Sequence, residues 1–285
     1  MKIIPLIFIV LLLQLTKAAC TEPPVIKNPP HYDLSKPIVY KMPSVLDEIS
    51  GIAFNQGNAD TVFAEQDEEG KLFYFHLGDT EIKHKKFSKQ GDYEDLAICN
   101  GQVILLRSDG VFFSVPLNSI NSKETGRAGA QAGLLPTGEY ESLYADEANH
   151  TLYALCKKCA DDKSSQSITG RILSITADGQ LTLQNQFTID EKAIAVMTAN
   201  KKFSLKPSAL AKHPLTHQWY ILSSVNKMLL ITDDQWKPID IYPLSAALFT
   251  QPEGIAFDKA GNLYISNEKG SGASGTILKF LYHGK

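Results

Sequence analysis

Five copies of a short sequence pattern place an oxygen-bearing side chain at the same position, and these residues are Ser50, Glu94, Glu141, Ser208 and Glu253. Carboxylates gathered around one axis repel each other and lose hydration unless a cation or protons neutralise them. Ligand sets made only of oxygen atoms suit hard cations, and Ca²⁺ is favoured before Mg²⁺. The pattern therefore predicts a calcium site that backbone carbonyls and water complete. In an alternative interpretation the carboxylates accept backbone hydrogen bonds and only join neighbouring repeats.

The spacing of the five copies predicts the elements that position these residues. Successive copies lie 44, 47, 67 and 45 residues apart, and a period near 45 residues built from short strands is typical of a β-propeller. Apolar runs after each copy alternate with turns rich in Gly, Asn and Asp, as tight bends require. We therefore expect an all-β, single-domain β-propeller of five four-stranded blades. A sixth blade within the 67-residue interval is the alternative.

The last repeat lacks room for a fourth strand, because only 32 residues follow Glu253. Residues 37–45 form a spare strand before the first repeat. We predict that this strand completes the last blade and closes the ring, which removes an exposed sheet edge. Each residue of the predicted metal site then lies at the start of an innermost strand and faces one end of the central channel. Asp47, Asp92 and Asp95 stand beside these positions, as outer partners of a metal or as strand caps.

A second group of polar residues is expected where the second strand of each repeat ends. Its members are Glu65, Arg107, Cys156, Ser223, Ser266 and Asn267. Their varied types fit a surface that binds a polar ligand, and mutual pairing at the rim is the alternative.

The N-terminal residues have the features of an export signal. Lys2 precedes an apolar run over residues 3–13, and small residues lead to Cys20. Such a segment is typical of a secretory signal peptide, and Ala18-Ala19-Cys20 is similar to a bacterial lipobox, although Lys17 departs from its pattern. We predict a signal peptide over 1–19, a lipidated Cys20 with a proline-rich tether over 20–36, and a propeller over 37–285. Simple secretion and an uncleaved anchor are the alternatives.

These features indicate an exported protein of the cell envelope, attached to a bacterial membrane. Removal of residues 1–19 changes the formal net charge from −3 to about −5. Nucleic-acid binding is not expected, because it needs clustered basic side chains that neutralise phosphates.

The remaining cysteines are Cys99, Cys156 and Cys159. Disulfides form in exported compartments, so Cys156 and Cys159 are interpreted as a local disulfide or as two inert thiols. Cys99 is expected to be buried as a small apolar residue.

Two stretches carry a family resemblance. They are Leu46-Asp47-Glu48-Ile49-Ser50-Gly51-Ile52-Ala53 and Gln251-Pro252-Glu253-Gly254-Ile255-Ala256-Phe257-Asp258. Both resemble the SdiA-regulated family of bacterial propellers, and the second is also similar to NHL-type and phytase-like propellers. The resemblance implies the propeller fold over roughly residues 38–285 without specifying a reaction. Related propellers commonly hold a calcium ion in the channel, so the resemblance also implies an ion at Ser50, Glu94, Glu141, Ser208 and Glu253.

Two classes of function follow. A membrane-anchored propeller without a recognisable catalytic motif indicates a binding or scaffold module for a small molecule, a glycan or a protein. The acidic ring and the likeness to phytase-like propellers indicate a calcium-dependent hydrolase of an ester, lactone or phosphoester. The fold is compatible with both.

Overall fold

The structure is a computed structural model, and it describes residues 27–122, 129–160, 162 and 166–284. It contains five antiparallel sheets of four strands each. The strands of blade 1 are β2 Ile49–Asn55, β3 Asn58–Gln66, β4 Lys71–Phe75 and β5 Lys83–Lys86. Those of blade 2 are β6 Tyr93–Cys99, β7 Gln102–Arg107, β8 Phe112–Pro116 and β9 Gly129–Gln131.

The next two blades follow the same order in the chain. Blade 3 consists of β10 Gly138–Asp146, β11 Thr151–Cys159, β12 Ser167–Ile175 and β13 Leu181–Asp190. Blade 4 consists of β14 Ala209–Lys212, β15 Trp219–Ser223, β16 Met228–Thr232 and β17 Pro238–Pro243. The helix α1, Glu191–Met197, lies between these blades and begins where the Asp190 carboxylate accepts the Lys192 N–H. The 67-residue interval therefore holds long strands and a helix, and the five-blade prediction is confirmed.

Blade 5 is built from both ends of the described chain. Its strands β18 Pro252–Phe257, β19 Leu263–Asn267 and β20 Thr276–Phe280 come last in sequence. The outer strand β1, Ile38–Lys41, pairs antiparallel with β20. The predicted closure by the N-terminal strand is therefore confirmed. Short 3₁₀ helices at Ser44–Leu46 and Leu117–Ser119 lie between strands.

The innermost strands form a closed ring, because β2, β6, β10, β14 and β18 each contact the next strand of this series. Each innermost strand is the edge of its sheet, so its unpaired edge lines the central channel. The core consists of five apolar clusters, and each cluster joins two adjacent blades. Burial of apolar side chains between blades is the main force that holds such a ring together.

The segment before β1 packs on the body of the propeller. Tyr32 and Leu34 are buried in the cluster between blades 4 and 5. The Tyr32 hydroxyl donates to the Gly261 carbonyl at 2.5 Å and lies 2.8 Å from Nε2 of the buried His213. The C-terminal part of the predicted tether therefore contributes to the core.

The predicted signal peptide and Cys20 lie outside the described residues. Among the described residues, no helix has both the length and the apolar character that a membrane crossing requires.

Candidate functional site

The five predicted site residues lie at irregularities in the pairing of the innermost strands. Register shifts in the ladders occur at Ser50, Glu94, Glu141 and Glu253. In blade 4, the Ser208 N–H donates to the Leu222 carbonyl although Ala209 is the residue paired with Leu222. Bulges of this kind bend a strand and redirect a side chain, and they are common beside binding sites. The repeated pattern therefore encodes a repeated bulge at one end of the channel.

The two serines join neighbouring innermost strands. The Ser50 hydroxyl donates to the Glu94 carbonyl at 3.1 Å, and the Ser208 hydroxyl donates to the Pro252 carbonyl at 3.0 Å. Both serines are buried. Ser266 closes the ring by donating to the Ser50 carbonyl at 2.5 Å. The alternative interpretation assigns the joining of neighbouring repeats to the glutamates. In the structure the two serines make these connections.

Asp95 makes the equivalent connection between blades 2 and 3. Its fully buried carboxylate accepts the Leu96 N–H at 2.8 Å and the Leu143 N–H at 2.6 Å. Burial raises the pKa of Asp95 well above its usual value, and the two N–H donors oppose this shift. Asp95 is therefore a structural connector of two blades.

Two glycines allow this close approach of strands. A Cβ added to Gly51 would lie 2.8 Å from Asp95 Cα and 2.9 Å from Leu96 N. A Cβ added to Gly254 would collide with the Ser266 hydroxyl and the Ser50 carbonyl. Contacts this short are not tolerated by real side chains, so glycine is required next to the site residues of blades 1 and 5.

The three glutamates share one electrostatic environment. Burial and the neighbouring Glu141 carboxylate raise the pKa of Glu94 to about 9. Burial raises the pKa of Glu141 to about 7, against the opposing effect of Lys157. Burial also raises the pKa of Glu253. These shifts follow from loss of hydration and from repulsion between carboxylates, so this end of the channel has an excess of acidic groups.

Lys157 is a member of this site that the sequence did not indicate. It lies on β11, donates to the Glu141 carboxylate, and contributes favourable charge interactions with Glu253 and Glu94. Its ammonium group therefore supplies one positive charge to three carboxylates. The repeated pattern does not include the second strand of each blade, so it does not mark Lys157. The role of Lys157 arises because the paired strand has a bulge at Glu141.

Further carboxylates extend the acidic end toward the gap between blades 5 and 1. Burial and the Glu253 charge raise the pKa of Glu268 to about 8. Carboxylate oxygens of Glu48, Asp67 and Glu268 lie within 4.8 Å of one another. Asp47 binds Lys269 at 3.1 Å, and Asp92 accepts a hydrogen bond from Ser108. Asp47 therefore has its partner away from the glutamates, whereas the charge of Asp92 also raises the pKa of Glu94.

The donor set agrees only in part with a calcium ion. Glu94, Glu141 and Glu253 supply the hard oxygen atoms that calcium prefers, and the Glu94 carboxylate accepts no hydrogen bond from the described residues. The serine hydroxyls are directed to backbone carbonyls. Within the described chain, these three glutamates do not form a group whose oxygens all lie within 4.8 Å of one another. The glutamates therefore supply suitable donor atoms without forming a compact ligand set, and each serine hydroxyl gives its proton to a carbonyl while its oxygen can still accept.

The second predicted polar group does not form one surface. Glu65 is fully buried, with one oxygen accepting the Gly51 N–H at 2.6 Å and the other without a partner. Arg107 pairs with Asp109 at 2.8 Å, and Ser223 donates to the Lys206 carbonyl at 2.6 Å. Ser266 and Asn267 are fully buried. Arg107, Ser223 and Ser266 therefore have partners at the ends of the second strands, whereas Glu65 and Asn267 each keep one buried oxygen without a partner.

Cys156 and Cys159 form a disulfide, and Cys99 is a buried free thiol. The disulfide leaves Lys157 and Lys158 between its two cysteines. A Cβ added to Gly138 on the paired strand would collide with Cys159 Sγ and lie 3.1 Å from Cys156 Sγ. The disulfide therefore packs against β10 just before the bulge that carries Glu141.

The sheet order and the ring of innermost strands define a five-bladed β-propeller with an acidic channel end. The sequence model of the SdiA-regulated family matches residues 169–270, which include Pro252-Glu253-Gly254. The resemblance to this family is therefore confirmed over the part of the chain that runs from β12 to β19.

Solved structures with the same architecture include enzymes. A luciferin-regenerating enzyme has a TM-score of 0.52 at 10% identity, covering 87% of this chain and 96% of that chain. Glutaminyl cyclase from Myxococcus xanthus has a TM-score of 0.56 at 14% identity, covering 86% of this chain and 94% of that chain. Identities this low establish the shared fold alone. No curated protein sequence matches the chain.

Proposed function

We propose that this chain is an exported binding module that is attached to a bacterial membrane and holds a cation at the acidic end of its channel. The observation that carries the proposal is the excess of carboxylates around Lys157. Glu94, Glu141 and Glu253 share the Lys157 ammonium group, Lys227 attracts Glu253 alone, and Glu268 adds a fourth carboxylate beside Glu253. Burial first and repulsion second raise the pKa values of Glu94 and Glu268, and a bound cation would offset the repulsion.

Calcium is the first ion to consider, because the free ligand atoms are carboxylate oxygens. Glu94 and Glu253 are the residues most available to hold it, with Glu141 shared between the ion and Lys157. When bound, the ion neutralises charge and restrains the inner strands of blades 2, 3 and 5. The partner at this face of the propeller is a small molecule, a glycan or a protein.

Attachment to the cell envelope rests on the export signal and on Cys20. Metabolic labelling with a palmitate analogue tests it directly. We expect label on the wild-type chain and its loss in Cys20→Ser, whereas label in neither chain contradicts the anchor and leaves simple secretion.

Thermal unfolding tests the cation. The mature chain, residues 20–285 with Cys20→Ser, is unfolded in EDTA and again with millimolar Ca²⁺ or Mg²⁺. A site saturated about 100-fold stabilises by ~2.7 kcal/mol, which is roughly 5–10 °C for a domain of this size. We expect Glu94→Gln to abolish this shift. The matched control is Glu81→Gln, because Glu81 is exposed and lies between β4 and β5 of blade 1. This control should keep the shift. If elemental analysis shows that the wild type retains no ion in EDTA, the absence of a shift in its unfolding temperature contradicts the proposal.

A calcium-dependent hydrolase is the second candidate. In this candidate Glu94 acts as a ligand of the ion, and the ion would polarise a carbonyl or phosphoryl oxygen of the substrate. A panel of esters, lactones and phosphoesters distinguishes the two functions. Turnover that Glu94→Gln abolishes while the fold is retained supports the hydrolase, and absence of turnover across the panel supports the binding module.

A further inference from the structure

The end of the channel opposite the acidic residues contains a cavity of about 510 Å³. Its lining starts two residues after the bulge on each innermost strand and continues to the turns that follow these strands. All five blades contribute to the wall. The cavity is therefore separate from the acidic site, and its volume lies within the ~300–1,000 Å³ range of small-molecule sites.

The wall of this cavity is mainly apolar. Every innermost strand contributes one branched aliphatic residue to the lining, namely Ile52, Leu96, Leu143, Leu210 and Ile255. In blade 3, Ala145 occupies the position that Phe54, Ile98 and Phe257 hold in blades 1, 2 and 5. Ala53 and Ala145 are only half-buried. An apolar space of this size holds water weakly.

The charges at the mouth do not select an ionic ligand. Asp146 accepts the Ala148 N–H at 3.1 Å, and Glu147 accepts the Asn100 N–H at 2.8 Å. Asp258 accepts the Asn262 N–H at 2.9 Å.

The acidic groups at the mouth are thus already engaged by the turns. Lys212 and Lys259 lie at the same mouth, and the Lys212 ammonium is 5.1 Å from the centre of the Trp219 ring. Both signs of charge are present, so neither an anion nor a cation is clearly favoured.

We propose that this cavity is a second binding site, which takes an uncharged and mainly apolar small molecule. The aliphatic wall supplies the affinity, because transfer of apolar surface from water stabilises by roughly 25 cal/mol per Å². The unpaired edges of the innermost strands supply backbone donors and acceptors for a polar substituent. The rim carries both signs of charge and therefore does not select an ion, and the carboxylates at the far end of the channel disfavour anions.

Two fluorescent probes with the same ring skeleton test this site. N-phenyl-1-naphthylamine is uncharged, and 1-anilinonaphthalene-8-sulfonate carries one negative charge. Both probes are titrated into the chain of residues 20–285 with the substitution Cys20→Ser. The buffer contains EDTA, so the result does not depend on whether the channel binds a cation. We expect saturable binding of the uncharged probe at one per chain, and at least tenfold weaker binding of the sulfonate.

Substitutions then place the probe in the cavity. Ala145→Ile introduces the residue that Ile98 supplies at the aligned position of blade 2, and Ala53→Leu narrows the cavity from blade 1. Each is expected to weaken the uncharged probe at least tenfold, whereas the exposed control Ala247→Leu leaves it unchanged.

The unfolding transition of each variant shows whether that variant is folded. If one of the two cavity variants does not fold, the other still tests the proposal. No saturable binding to the wild type, equal binding of the sulfonate, or full binding to a folded cavity variant overturns the proposal.

Discussion

Lys157 on β11 donates a hydrogen bond to the Glu141 carboxylate on the paired strand β10. The ammonium group is thereby placed where it also attracts Glu94 and Glu253. The three carboxylates come from different blades, so one ion pair within blade 3 reduces repulsion between blades 2, 3 and 5. The lysine performs part of the neutralisation that the sequence predicted for calcium.

Removal of this lysine should destabilise the ring. Lys157→Met leaves the buried Glu141 carboxylate without its partner, and loss of one member of a partly buried pair costs about 2–3 kcal/mol. Urea unfolding in EDTA measures the change.

Lys158→Met is the matched control, because the Lys158 side chain is 69% exposed and only approaches Glu139 at 3.9 Å. Equal losses in the two variants would contradict the assigned role of Lys157.

Stability in EDTA should fall as pH rises from about 6.5 to 9. The folded chain holds protons on Glu94, Glu141 and Glu268 up to pKa values of about 9, 7 and 8, whereas the unfolded chain releases them near pH 4.5. The folded state therefore binds more protons in this window, so the free energy of unfolding decreases with pH.

Two other groups have little influence in this range. The pKa of Lys157 is raised above its usual value, so its contribution is constant below pH 10. The pKa of buried His213 is lowered to about 4, so its contribution is lost only as pH falls below about 6.5. Urea midpoints at pH 6.5, 7.5 and 9 check the prediction, and Glu94→Gln should flatten the dependence. A rise in stability with pH would contradict it.

Gly254→Ala should destabilise the contact between blades 5 and 1. The added methyl group meets the Ser50 carbonyl and the Ser266 hydroxyl, and overpacking of this kind typically costs about 1–3 kcal/mol. Gly129→Ala is the control, because a Cβ at Gly129 meets no atom within 4 Å. Thermal unfolding compares the two variants, and an unchanged transition for Gly254→Ala would show that the strands separate easily.

The disulfide should contribute stability without being essential. Closure of a loop as short as the one between Cys156 and Cys159 restricts the unfolded chain by about 2 kcal/mol. The double variant Cys156→Ala/Cys159→Ala should lose this amount in denaturant unfolding. In residues 20–285 with Cys20→Ser, alkylation under denaturing, non-reducing conditions should modify Cys99 alone. Modification of three cysteines would contradict the disulfide.

The blade count and the ring closure were predictable because they depend on periodicity. The repeated pattern marks each innermost strand, and residues 37–45 contain the strand that pairs with β20. The Ser50 hydroxyl reaches the Glu94 carbonyl, so these two aligned positions lie beside each other on neighbouring innermost strands.

The details of the site depend on contacts between blades, which a single sequence does not encode locally. Asp95 occupies the position held by Gly51 in blade 1, yet it reaches the Leu143 N–H across the blade gap. Lys157 has no counterpart with the same role in the repeat. The orientation of these side chains follows from bulges that add one residue to a strand, and the repeated pattern marks the positions of the bulges without showing where each side chain is directed.

The pairing of β1 with β20 joins residues that are far apart in the sequence. Blade 5 is consequently complete only after both Ile38–Lys41 and Thr276–Phe280 are available. During synthesis, a nascent chain that ends at residue 275 carries four blades, the paired strands β18 and β19, and the unpaired strand β1. The short strand Thr276–Phe280 is thus the element on which closure of the ring depends, and the ring stays open until this strand has been made.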